Sequence, residues 1–287
     1  LAENCYIALI WPSAQGQQNE LDKLIPNIIY QYNISLNHSG AHNLLSQVYY
    51  DEDWLGERAE NYPGVKNKLV ECFKTFDDLR VIAFQEESLD KVLLLKKKIR
   101  QAFSIGKHSV HISDTKEEAI RIARILFNDN SIHFLNYGNA NKYPATHKKL
   151  ERFKKFIEKN NFEVESVVLD SSIVLSLYGI RECSDIDYLS VDTDIKYHDE
   201  LIEDHTEELD FHQEGKNTMI FNQSFYFYYD DLKFISFNQL YKMKKNRLEK
   251  KDRNDLVLME ALIEHNLLKT YIGNIKQKFY FFTVKSR

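Results

Sequence analysis

Residues 169–189, LDSSIVLSLYGIRECSDIDYL, read as a strand, a tight turn, a short apolar helix, a second turn and a second strand. The second strand carries Asp185 and Asp187. Alternation along a strand puts both carboxylates on one face, about 6.5–7 Å apart along the backbone. Carboxylates so spaced can share Mg²⁺ ions, which take oxygen ligands from protein and phosphate together. Ser171 and Ser172 open the intervening helix with two hydroxyls and with the N–H groups of a helix start, where phosphate is favoured.

On the N-terminal side of this stretch lie a basic helix, His147 to Asn160, and a strand, Glu163 to Leu169. On the C-terminal side a strand is expected over Leu209 to His212. A hairpin follows, Phe225 to Tyr229 and Phe234 to Phe237, turning at Asp230 and Asp231. Two helices, near Asn238 to Glu249 and Arg253 to Leu268, close the pattern. Residues 141–287 therefore read as an α+β domain with a short mixed sheet and C-terminal helices. A seam at Tyr137 to Thr146, with Gly138, three asparagines and Pro144, separates it from residues 1–140.

The motifs resemble the polymerase-β-like nucleotidyltransferase superfamily over residues 147–268. That family has a Gly-Ser turn between strand and helix, an Asp-x-Asp on the next strand and a third carboxylate on a further strand. SDIDYLSV (184–191) matches the Asp-x-Asp strand, YGIR (178–181) resembles the Gly-Arg turn before it, and Asp210 is the third carboxylate. The family glycine is Asp170 here, which brings a third negative charge to the phosphate end of the site. Lys244, Arg247 and the run Lys250 to Asp255 resemble the Lys/Arg-rich helix pair that follows the core in bacterial members. The likeness extends to proteins of bacterial surface-glycan clusters and to phosphocholine-transferring and fukutin-like enzymes.

The resemblance implies a Mg²⁺- or Mn²⁺-dependent nucleotidyl or phospho-alcohol transferase acting on a sugar or glycan hydroxyl in capsule or lipopolysaccharide assembly. Asp185 and Asp187 hold metal. Asp210 holds a second ion or accepts the acceptor's proton. Ser171, Ser172, Arg181, Lys244 and Arg247 bind the phosphates of a nucleotide or nucleotide-activated donor. Two alternatives stand beside it: a non-catalytic module in which Asp170 spoils phosphate binding, and a toxin–antitoxin-type nucleotidyltransferase.

Residues 1–140 alternate strand-like and helix-like segments, an α/β domain with some parallel pairing expected. Its strands are Tyr6 to Ile10, Leu79 to Phe84, Ser109 to Ser113 and Ile132 to Asn136. Its helices are Asn43 to Tyr50, Val65 to Phe73, Leu89 to Phe103 and one capped by Asp114 or Thr115. The turn at Lys107 to Thr115 has the look of an anion site, with His108, His111, Lys98 and Arg100 near it.

The chain's composition narrows the field. A net charge of -5 argues against a nucleic-acid partner, and nine glycines with no Gly-rich motif exclude a dinucleotide or P-loop cradle. Three scattered cysteines (Cys5, Cys72, Cys183) fit a reducing, cytoplasmic compartment. No apolar run reaches membrane-spanning length. Tyr271 to Arg287 mixes aromatics with Lys276, Lys278, Lys285 and Arg287; it reads as packing on the core, with an interfacial membrane contact as the alternative. Numbering that begins at Leu1 is expected of an excised or trimmed segment. His198, His205 and His212 recur every seven residues but fall on different expected elements, so no shared metal site is expected of them.

Overall fold

The computed structural model describes residues 4–14, 21 and 23–285. Arg287 and the side chain of Lys285 lie outside the described part. The chain divides into two compact units, Leu1–Asn136 and Tyr137–Arg287. Both are mixed α/β, and none of the described helices is long and apolar enough to cross a membrane.

The first unit contains β1 (Cys5–Ile10), β2 (Ile28–Ile34), α1 (His38–Val48), α2 (Val65–Cys72), β3 (Leu79–Gln85), α3 (Leu89–Phe103), β4 (Val110–Ile112), α4 (Lys116–Leu126) and α5 (Asp129–Tyr137). Its sheet runs β2-β3-β1-β4. Every pairing is antiparallel, so the expectation of parallel strands is corrected. The strands joined by the long α3 connection, β3 and β4, are not neighbours; β1 lies between them, antiparallel to both. Alternate residues feed two cores. Ile7, Leu9, Val81 and Ala83 face α1, α2 and α4, whereas Ala8, Ile10, Ile82 and Phe84 face Val92, Leu95 and Ile99 of α3.

Two further corrections fall here. Ile132 to Asn136 is helical, part of α5, because Asn128 caps that helix by accepting the Ser131 N–H at 2.8 Å. The edge strand β2 is absent from the sequence reading; its residues Ile28 to Asn33 are all exposed, so no buried face marks them.

The second unit contains α6 (Pro144–Asn160), β5 (Val167–Asp170), α7 (Ser172–Leu177), β6 (Ile186–Ser190), β7 (Ile202–Asp204), α8 (Leu209–His212), α9 (Lys216–Phe221), β8 (Tyr226–Tyr229), β9 (Leu232–Ile235), α10 (Phe237–Arg247), α11 (Lys250–Ile263) and α12 (Leu267–Lys285). The sheet order is β7-β6-β5-β9-β8. The pairs β5–β6 and β8–β9 are antiparallel; β5–β9 and β6–β7 are parallel. The hairpin turns at Asp230 and Asp231, both at positive φ, which carboxylate side chains tolerate better than most.

Three sequence expectations change in this unit. Residues 164–166 form a 3₁₀ turn, so β5 starts only at Val167. Leu209 to His212 is the short helix α8, not a strand. The closing segment holds three helices, because His265 adopts φ 51° and Asn266 then caps α12 by accepting the Lys269 N–H at 2.9 Å.

Candidate functional site

The register of β5 against β6 builds the site. Asp170, the last residue of β5, pairs directly with Asp187 of β6, so the two carboxylates project from one face of the sheet. The chain then bends through Ser171 at φ 61°, ψ -126°, a conformation that a non-glycine residue holds only under strain. This position, rather than Asp170, is where the turn demands glycine-like backbone. The Ser172 hydroxyl donates to Asp185 Oδ1 at 3.1 Å, and the Ser171 side chain hydrogen-bonds Asp187. The helix α7 has only six residues, too short for its dipole to add much, so hydroxyls and turn geometry carry what phosphate affinity the turn has.

Asp170 is wholly buried, and an isolated carboxylate there would be prohibitively desolvated. Its Oδ2 accepts from His205 Nδ1 at 2.8 Å and from His212 Nε2 at 2.9 Å, and its Oδ1 from the Ser171 N–H at 2.6 Å. Burial alone would raise its pKa; the charges and hydrogen bonds of His212 and His205 overcome this and hold it well below the usual carboxylate range. For His205 burial pulls the other way, yet Asp170 and Asp187 together raise it. His212 is buried in full, its carbonyl accepting from Gln239 Nε2 at 2.8 Å.

Asp187 is the most strained of the group electrostatically. Burial pushes its carboxyl up, His205 opposes, and the neighbouring Asp185 and Asp170 push further, to about 6. Such a cluster of negative charge is relieved either by a proton or by a cation. The half-buried Asp185 and Asp187 offer the oxygen ligands that suit Mg²⁺. Separately, one ligand atom each from Asp170, His205 and His212 lie within 4.8 Å of one another, a donor set of one carboxylate and two imidazoles.

The other residues expected at the site lie elsewhere. Asp210 is exposed on α8, two residues before His212, and the strand expected to carry it is a helix. Arg181 makes a bidentate pair with Asp255 at 2.7 and 3.0 Å. Lys244 is buried between Asp252 at 3.1 Å and Asp255 at 2.9 Å. Arg247 binds Asp252 at 2.9 Å and Glu208 at 3.4 Å. These three cations are paired with buried carboxylates and clamp α10, α11 and the turn before β6 together, with no phosphate needed to balance their charge. Asp252 also closes a capping box with Glu249 at the start of α11.

The residues missed by sequence reasoning are Asp170 as a buried acceptor and His205 and His212 as its donors. The signal was the charged residue at a buried strand end, which requires partners. The seven-residue histidine spacing was incidental: His198 is exposed and stands apart. Comparison with known proteins yields no relative: no family model, no curated protein and no solved structure matches this chain.

Proposed function

We propose that the second unit has a nucleotidyltransferase-type fold and transfers a nucleotidyl or phospho-alcohol group from a nucleotide-activated donor to a sugar or glycan hydroxyl, in bacterial surface-glycan assembly. The observation that carries this reading is the face shared by Asp170, Asp185 and Asp187 beside the Ser171–Ser172 turn, with Asp187 raised to about 6. Asp185 and Asp187 would hold Mg²⁺ or Mn²⁺, which neutralises phosphate charge in an in-line displacement. Ser171 and Ser172 orient the phosphate oxygens while fixing the two carboxylates. His205 takes the role that sequence reading gave to Asp210. Asp170 holds its Nδ1–H, leaving Nε2 to receive the acceptor hydroxyl's proton. On this reading the enzyme is cytoplasmic and touches anionic lipid through α12, where Leu267, Leu268, Tyr271, Phe279 and Phe282 are exposed beside Lys276 and Lys278.

The test is calorimetric titration of CTP, ATP, UTP and GTP with and without Mg²⁺, on wild type and Asp187→Asn. Magnesium-dependent binding of one nucleotide, lost in the variant, supports the reading. Binding that the variant retains in full refutes the assigned site.

A second reading rests on the donor set of Asp170, His205 and His212, which suits zinc or a similar transition metal. Elemental analysis separates the two: one zinc per chain, lost in His212→Gln, favours the transition-metal site.

A further inference from the structure

The first unit carries a cleft of about 930 Å³ bounded by the end of α1, the Trp54 turn, α2, α3 and the start of α4. That volume lies in the range of small-molecule sites. Three polar atoms on its walls, Arg100 Nε, Arg121 Nε and His108 Nδ1, are buried without a partner among the described residues. Buried polar atoms are almost always hydrogen-bonded in a folded protein, so the two guanidinium donors of the cleft point to a missing acceptor, and His108 Nδ1 donates or accepts according to its tautomer. The Lys68 amine lies on the same cleft, donating to the Lys107 carbonyl at 3.3 Å, hydrogen-bonded to Cys72 and 5.2 Å from the Tyr49 ring centre. Burial, together with the charges of Lys107 and Arg100, depresses its pKa. Burial and Lys68 likewise depress His108. Carboxylates line the cleft as well, Glu71 acting on His108 and Glu118 on Arg121, but neither hydrogen-bonds the three unpartnered nitrogens.

The cleft acids have other partners: Glu71 lies 3.8 Å from the Lys74 amine. Glu118 is occupied by His111 Nε2 at 2.9 Å and by the Asp114 N–H at 2.6 Å. Asp114 holds Lys96 at 2.9 Å, and Glu52 accepts from the Trp54 indole at 3.1 Å. Asp51 and Glu117 are exposed at the rim. The start of α4 is closed as well: Thr115 accepts the Glu118 N–H at 3.1 Å, and Glu117 and Glu118 fill the first turn. At the strand-to-helix turn the first helical N–H groups thus face acceptors of their own chain, while the unpartnered nitrogens belong to Arg100, His108 and Arg121.

The cleft also has an aromatic mouth, with Trp54 44% and Tyr50 50% exposed. Unpaired guanidinium N–H groups suit phosphate oxygens, flat aromatic faces suit the C–H face of a ring, and rim carboxylates accept hydrogen bonds from hydroxyls. We propose that this cleft binds a phosphorylated sugar, its phosphate held by Arg100, His108 and Arg121 and its ring set against Trp54. The site is independent of the carboxylate cluster in the second unit.

Trp54 supplies the readout. The chain's other tryptophan, Trp11, is wholly buried, so ligand-induced quenching reports on the cleft. The full chain is titrated with glucose 1-phosphate, UMP, UDP-glucose, glucose and inorganic phosphate. Saturable quenching by glucose 1-phosphate or by either nucleotide, with none by glucose, is the expected result, and the tightest probe shows whether free or nucleotide-borne sugar phosphate is preferred. Arg100→Gln should weaken that binding roughly tenfold, the scale of one charge-assisted hydrogen bond. His108→Gln, at a half-buried position, serves the same purpose if Arg100→Gln does not fold. Asp187→Asn should leave the binding unchanged, which separates this site from the one in the second unit. The proposal is overturned if no phosphorylated probe saturates, if inorganic phosphate binds as tightly as the sugar phosphate, or if the variants of the cleft bind like wild type.

Discussion

Replacing Asp187 by Asn should make the protein more stable at pH 8 and leave it unchanged at pH 4. The carboxyl moves from an ordinary 3.8 to about 6 on folding, chiefly through burial and then through Asp185 and Asp170. Because the folded value is the higher one, the unfolded chain gives up this proton first as pH rises. Stability therefore falls from about pH 4 to about pH 6 and stays reduced above that. At about 1.36 kcal/mol for each pH unit, the full penalty is roughly 3 kcal/mol. Asn removes the charge but also forfeits attraction to His205, so a net gain of roughly 1–3 kcal/mol is expected, or several degrees in Tm. The assay is thermal unfolding in EDTA from pH 4 to pH 8. The two Tm curves should coincide at pH 4, diverge between pH 4 and pH 6, and run parallel above. Excess Mg²⁺ should then raise wild type toward the variant. A variant no more stable than wild type at pH 8, or a gap independent of pH, would refute the electrostatic account of this cluster.

Three other perturbations follow from the same geometry. Lys244→Met leaves Asp252 and Asp255 buried with one cation fewer and should cost roughly 3–5 kcal/mol in urea unfolding; adding Asp252→Asn should restore part of it. Asp170→Asn should destabilise most near neutral pH. Asp170 is held below its ordinary range, so its contribution is present above about pH 4 and disappears as pH falls through its folded value; acid titration of the two unfolding curves should show them converging. Phe279→Ser with Phe282→Ser should reduce co-flotation with anionic vesicles without lowering Tm, since both rings are exposed.

What could be read from the sequence was local. The period of Val92, Leu95 and Ile99 marks α3, and the cap at Asp114 or Thr115 marks α4, where Thr115 accepts from a residue three positions on. The Asp230–Asp231 turn marks the β8–β9 hairpin in the same way. Strand β2 was not legible, because an edge strand with no buried face lacks the alternation that reveals a strand. At the site, Asp185 and Asp187 announce themselves two residues apart. By contrast, the partners of Asp170 lie 35 and 42 residues away, and Arg181 reaches Asp255 across 74. A run of Lys and Arg reads the same whether it faces phosphate or a buried carboxylate. Only the folded packing of α10 against α11 decides between them.

Asp170 in place of a glycine looked like an obstacle because of its charge, and the structure bears on both charge and conformation. Conformation is no obstacle: Asp170 sits in ordinary strand geometry, and the positive φ belongs to Ser171. The electrostatic ground applies only in part, because His205 and His212 meet the Asp170 charge directly. What remains is the pair Asp185 and Asp187, at the edge of a compensated cluster, with one proton held unusually tightly. A cation bound there would compete with that proton. Its uptake at pH 5 should therefore release close to one proton per ion, and its affinity should weaken as pH falls below about 6. Calorimetry of Mg²⁺ binding in buffers of different ionisation enthalpy measures that proton directly. Metal uptake with no proton release would place the ion away from Asp187.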